Sequence, residues 1–179
     1  MTLESEYRRL CETASDIHEH LPTLVTLVEE LDAKHVIELG TRSGVSTIAW
    51  LYALAQNDGR LTSVDLDDPP PIGEFPHWRF IKGDDLNLEV FDQLDEADIV
   101  FIDTSHTFEQ TRRELNLYKW LVRPGGMIVL HDTELGWPSD SPPTDPHFPV
   151  RKAVEEFVAT EGRTWVNFPN CNGLGVIRL

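Results

Sequence analysis

Cysteine is scarce in this chain: Cys11 and Cys171 are the only two among 179 residues. Two thiols so far apart supply neither a disulfide framework nor a cysteine-rich metal knuckle. They read as free thiols of a reducing compartment, which predicts a cytoplasmic protein. Basic residues are also few, 15 against 31 acidic ones, for a formal net charge of −16. A field of that sign repels phosphate backbones and anionic lipid surfaces, so neither nucleic acid nor a membrane is an expected partner. No apolar run approaches the ~20 residues that span a bilayer. The mixed charges of Glu4, Glu6, Arg8 and Arg9 exclude the apolar stretch of a signal peptide. What remains is a length suited to one domain with a sizeable core.

What is present is alternation of strand-like and helix-like runs, the mark of βαβ units around a parallel sheet. Residues 3–33 read as helical, with Leu21, Leu24, Leu27, Val28 and Leu31 at helical spacing, and form an N-terminal helical cap over residues 1–33. His35–Leu39 is the first strand. Val45–Gln56 reads as an amphipathic helix stopped by Asn57-Asp58-Gly59. Leu61–Val64, Trp78–Ile81, Ile99–Ile102 and Met127–Leu130 are further strands. Thr107–Leu121, ended near Pro124-Gly125-Gly126, and Arg151–Ala159 are further helices. Thr164–Phe168 and Leu174–Ile177 form a closing hairpin. The expected fold is α/β: a Rossmann-like doubly wound sheet, mostly parallel, with a C-terminal antiparallel hairpin strand. Glu134–Pro149, rich in Pro, Ser and Asp, is a long loop suited to act as a lid.

The stretch Glu38-Leu39-Gly40-Thr41-Arg42-Ser43-Gly44 joins the first strand to its helix. Gly40 and Gly44 let backbone approach a ligand where a Cβ would obstruct it. The spacing departs from the dinucleotide fingerprint, because Arg42 stands where the second glycine belongs. Glu38, just before the turn, suits a cationic ligand better than a polyanionic one.

Several strands end in acids: Asp65, then Asp84 with Asp85, then Asp103, then Asp132. Ligands of open α/β sheets bind outside the carboxyl ends of the strands, so these acids are expected to ring one crevice. Asp65 is placed to accept ribose hydroxyls, and Asp84 or Asp85 to meet an adenine edge. Asp67 and Asp68 read as a solvated loop. Asp103 is followed three residues later by His106, and the next strand ends at His131-Asp132. Carboxylates with imidazole suit a divalent cation such as Mg²⁺. Such a cation acidifies a hydroxyl, and His106, with its near-neutral pKa, suits a general base. Asp103 alternatively suits a ligand ammonium.

These motifs in this order resemble the class I S-adenosylmethionine-dependent methyltransferases. The likeness is greatest to the catechol O-methyltransferase-like group, in the branch of macrolide-sugar O-methyltransferases and cephalosporin-hydroxylase-like proteins. It covers residues 34 to 179 and rests on E-L-G-T-R-S-G-V-S-T, D-I-V-F-I-D-T-S-H, L-V-R-P-G-G-M-I-V-L-H-D and the closing G-L-G-V-I. The resemblance implies an S-adenosylmethionine-binding domain over 34–179. Glu38, Gly40 and Gly44 line the cofactor site and Ser46 reaches its carboxylate. Asp65 meets the ribose, and Asp84 or Asp85 the adenine. It further implies a metal at Asp103 and Asp132 and a base at His106; Asp103 is counted with His106 as catalytic, and His131 is itself a candidate metal ligand. His131 departs from the acidic pair of the sugar-methylating relatives. The expected reaction is O-methylation of a small molecule, with a homo-oligomer left open. The alternatives are a non-catalytic cofactor-binding protein, a nicotinamide-dependent oxidoreductase, and a metal oxygenase using His106 and His131.

Overall fold

A computed structural model describes residues 2–138 and 141–179. Strands β1 (His35–Leu39), β2 (Arg60–Asp65), β3 (Trp78–Lys82), β4 (Ala97–Ile102), β5 (Val122–His131), β6 (Trp165–Phe168) and β7 (Leu174–Arg178) form one sheet in the order β3-β2-β1-β4-β5-β7-β6. The pairs β1–β2, β1–β4, β2–β3 and β4–β5 are parallel, whereas β7 runs antiparallel to β5 and to β6. The expected doubly wound sheet with an antiparallel closing hairpin is what the chain forms.

Helices cover both faces. On one face α1 (Leu3–Glu12), α2 (Leu21–Leu31) and α3 (Val45–Leu54) share an apolar cluster with β1 and β4, built around Leu24, Trp50 and Phe101. On the other, α4 (Leu88–Phe91), α5 (Phe108–Tyr118) and α6 (Pro149–Glu161) pack on residues such as Ile37, Val100 and Ile128. Strand β1 is buried at every position because both faces are covered.

Three expectations need correction. Helix α3 is not amphipathic: Ser46 to Leu51, with Ala53 and Leu54, are all buried, because α1 and α2 cover the side that would otherwise meet water. The N-terminal helical run is interrupted between α1 and α2, where a single 3₁₀ turn spans His18–His20. Strand β5 begins at Val122, so Pro124-Gly125-Gly126 lies inside it, at a register shift against β4 rather than in a loop.

Candidate active site

The parallel strands share one direction, so the carboxyl ends of β1, β2, β3, β4 and β5 meet at one edge. A crevice of about 460 Å³ opens there. It is lined by Gly40, Asp65, Asp84, Asp85, Asp103, His106 and Asp132, among others. The close approach of the chain just past the paired ends of β1 and β4 explains Gly40. Its φ is +86°, and a Cβ there would collide with the Asp103 carbonyl. Gly44, φ +83°, is hemmed in by Ile72 and Pro70 instead. Both glycines give room to the chain itself, and Gly40 also lines the crevice, where the absent Cβ leaves room for a ligand.

Glu38 and Ser46 lie behind the crevice rather than in it. Glu38 is 0% exposed. It accepts hydrogen bonds from Ser46 Oγ (2.7 Å), Thr47 Oγ1 (2.9 Å) and Ser63 Oγ (2.6 Å), tying β1 to α3 and β2. Burial pushes its pKa up to about 7, against the pull of those hydroxyls. With Ser46 committed to Glu38, neither residue presents a free group at the crevice surface.

Asp65 does line the crevice, but its carboxylate is already engaged. Oδ2 accepts from Thr41 N (2.7 Å), Thr41 Oγ1 (2.8 Å) and Arg42 N (3.2 Å), and Oδ1 from Asp67 N (3.0 Å). These donors outweigh burial and hold its pKa below the usual carboxylate range. Asp65 therefore fixes the glycine turn as well as facing the ligand space. Asp67 also lines the crevice, whereas Asp68 pairs with Lys82 at 2.8 Å in solvent. At the end of β3, Asp84 is exposed and faces the crevice, while Asp85 is buried.

The ends of β4 and β5 bring four groups together. His106 Nε2 lies 3.2 Å from Asp103 Oδ1 and 2.9 Å from Asp132 Oδ2. His131 Nδ1 lies 3.1 Å from Asp132 Oδ2 and 3.6 Å from Asp103 Oδ1. His106 and Asp132 both hold left-handed backbone, with φ of 58° and 63°. For side-chain-bearing residues that conformation is strained, and such strain collects at functional sites. Burial lowers the pKa of each histidine, but the two carboxylates more than reverse this, to about 10 at His106 and about 11 at His131. The imidazoliums in turn hold both carboxyls low against the opposing effect of burial.

The donor set fits a divalent cation. One ligand atom each of Asp103, His131 and Asp132 lies within 4.8 Å of the others. Asp132 Oδ1 is buried and has no partner, an acceptor awaiting a donor or a cation. His131 Nε2 sits 3.1 Å from the Asp16 carbonyl and 3.0 Å from that of Cys171. It must carry a hydrogen to donate to them, which leaves Nδ1 as the face turned to the carboxylates.

Other participants carried no sequence signal. Asp16, between α1 and α2, lines the crevice and pairs with Arg42 at 2.8 Å. Gln110 of α5 lines it as well. None of the described residues of the 134–149 loop does; Ser139 and Asp140, also part of the expected lid, lie outside the described residues. The loop is tied to α5 by Phe108 N donating to Asp145 Oδ2 (2.9 Å) and to α6 by Glu134 pairing with Arg151 (2.8 Å).

Comparison with known proteins returns one family, described as "Methyltransferase domain", matching residues 37–133. A protein of Mycobacterium sp. (strain JLS) bearing an O-methyltransferase name is 32% identical over 165 residues, 84% of this chain and 73% of that protein. The MycE methyltransferase of mycinamycin biosynthesis, solved with Mg, S-adenosylhomocysteine (SAH) and mycinamycin VI, superposes with a TM-score of 0.74 at 20% identity, over 98% of this chain and 52% of that one. A Staphylococcus aureus structure named for caffeoyl-CoA O-methyltransferase gives 0.70 at 17% identity, over 99% and 92%. These structural likenesses establish a shared fold.

Proposed function

The chain belongs to the methyltransferase-domain family, and on that premise we propose that it moves a methyl group from S-adenosylmethionine to a hydroxyl of a small molecule, assisted by a divalent metal. The observation that carries the assignment is the meeting of Asp103, His106, His131 and Asp132 at the crevice edge beside the Gly40 turn. We assign residues 1–33 as a helical cap, which packs through α1 and α2 on α3, and 34–179 as the cofactor-binding domain.

S-adenosylmethionine supplies a methyl group on a positively charged sulfur. Of the acids lining the crevice, Asp103 suits its cationic end, which leaves Asp65 for the ribose and Asp84 beside the adenine. A cation that displaced the His131 Nδ1 proton would be held by Asp103, Asp132 and that nitrogen, and would lower the pKa of an acceptor hydroxyl. The carbonyls of Asp16 and Cys171 hold the His131 ring in the orientation this requires. His106 is the base: it stands between the two carboxylates and takes the hydroxyl proton once they no longer hold its ring as an imidazolium. The acceptor oxygen forms a bond to the methyl carbon as the carbon–sulfur bond breaks. Most of the rate comes from aligning those three atoms.

The acidic surface favours a neutral or cationic acceptor over a phosphorylated one or a nucleic acid. Free Cys11 and Cys171 favour the cytoplasm. Among the described residues no helix is long and apolar enough to cross a membrane. The deciding experiment is calorimetry with SAH and with nicotinamide dinucleotide, followed by a methyl-acceptor screen over sugars and phenols with and without chelator. Binding of the first ligand alone and chelator-sensitive methylation are expected. Binding of the dinucleotide alone would overturn the assignment.

A further inference from the structure

Helix α5 buries an acid that methyl transfer does not use. Glu114 is 0% exposed, and Asp85, just past the end of β3, is 8% exposed. The Gln110 side-chain nitrogen donates to both, at 2.8 Å to Glu114 Oε1 and 3.2 Å to Asp85 Oδ1. Thr104 Oγ1 donates to the same Glu114 oxygen at 2.6 Å. The other oxygen of each carboxyl, Glu114 Oε2 and Asp85 Oδ2, is buried without a partner. Ionised carboxylates only accept, so two of them buried together leave both oxygens unsatisfied and repel each other. One proton shared between the pair satisfies both. Burial first, and the neighbouring acid after it, raise the pKa of Glu114, and burial does the same at Asp85. The other titratable groups facing the pair are Asp84 and Tyr118, whose hydroxyl donates to the Asp85 carbonyl at 2.8 Å.

Gln110 and Asp85 both line the crevice. With its nitrogen tied to two acids, Gln110 has its carbonyl left for the ligand space. We propose that Glu114 is a positioning residue: it shares a proton with Asp85, and together they pin the Gln110 amide so that its carbonyl accepts the exocyclic amine of the cofactor's adenine. The inference rests on the cofactor reading given above. It makes Gln110 the residue that distinguishes a 6-amino purine from a 6-oxo purine, which presents a lone pair where the carbonyl needs a donor.

Calorimetry with SAH and S-inosylhomocysteine tests this, because the two differ at the purine alone. The wild-type protein is expected to prefer the amino ligand by roughly tenfold or more. In Gln110→Ala the ratio falls towards one, chiefly by loss of affinity for SAH. Glu114→Gln keeps a donor towards Asp85 and keeps the ratio, whereas Glu114→Leu frees the amide and lowers it. General loosening of the fold weakens both ligands alike and leaves the ratio unmoved. A wild-type ratio in Gln110→Ala overturns the proposal, as does a ratio that collapses in Asp84→Asn alone. A collapsed ratio in Glu114→Gln overturns the shared proton. If Glu114→Leu does not fold, the Gln110→Ala and Glu114→Gln ratios decide. If the wild-type protein binds no SAH, the cofactor reading fails first.

Discussion

At Glu38, burial and hydrogen bonding pull in opposite directions, and burial wins: the pKa rises from 4.5 to about 7. Between those values the folded protein holds a proton that the unfolded chain has lost. Stability therefore falls as pH rises through that window. The full effect is about 3 kcal/mol, at ~1.4 kcal/mol per unit. Urea unfolding of wild type and Glu38→Gln at pH 5 and pH 8 should show a smaller loss in the variant; equal losses would remove Glu38 from the titration. His106 belongs to the same scale. His106→Ala is expected to leave SAH affinity nearly intact and to lower turnover by roughly 10²–10⁴-fold. The wild-type rate should climb with pH as His106 loses its proton, a step that Asp103 and Asp132 delay. The climb should move to lower pH as Mg²⁺ rises, because the cation competes for both carboxylates. A wild-type rate and pH profile in the variant would return His106 to a structural role.

Gly40 shows how two elements constrain one residue. Gly40→Ala adds a Cβ against the Asp103 carbonyl and holds alanine at φ +86°, so β1 and β4 cannot both keep their ends in place. Loss of more than ~1 kcal/mol is expected in thermal unfolding, with weaker SAH binding because Asp103 is displaced; an unchanged melting temperature would count against that close approach. The loop before α6 is the other element to test. As a lid it should lose protease sensitivity when cofactor and acceptor are both bound, and equal cleavage in both states would refute closure. Much at this scale was legible in the sequence. Hydrophobic runs ending in Asp65, Asp103 and Asp132 located the strands and the crevice, because strand direction alone brings those ends together. The buried side of α3 was not legible, since the helices covering it come from elsewhere in the chain. Nor were the roles of Glu38 and Asp65 as fasteners of the glycine turn: a carboxylate before or after such a turn reads the same whether it meets a ligand or the chain's own hydroxyls and amides. Asp16 and Gln110 reach the crevice through packing that no local pattern encodes.

For the whole molecule, the crevice is contributed by five strands, by α5 and by the segment between α1 and α2, so a ligand that fills it bridges elements distant in sequence. Such a ligand binds the folded chain alone and stabilises it by mass action, by about 2.7 kcal/mol at a hundredfold excess over Kd. For a chain of this size that corresponds to a rise of roughly 5–10 °C in Tm. SAH should produce that rise, and Mg²⁺ should add its own increment, because Asp103, His131 and Asp132 are brought together only in the folded chain. The formal charge of −16 sets a further condition. The acids lining the crevice are close enough to act together at low ionic strength, and a Debye length near 10 Å at 0.1 M salt damps their reach. The Mg²⁺ increment should therefore shrink as NaCl rises, while SAH, bound largely through short contacts inside the crevice, should keep most of its own. Differential scanning calorimetry over a salt series separates the two. An SAH shift that vanishes with salt as steeply as the Mg²⁺ shift would mean that the ligand is held by the surface field rather than by the site at the strand ends.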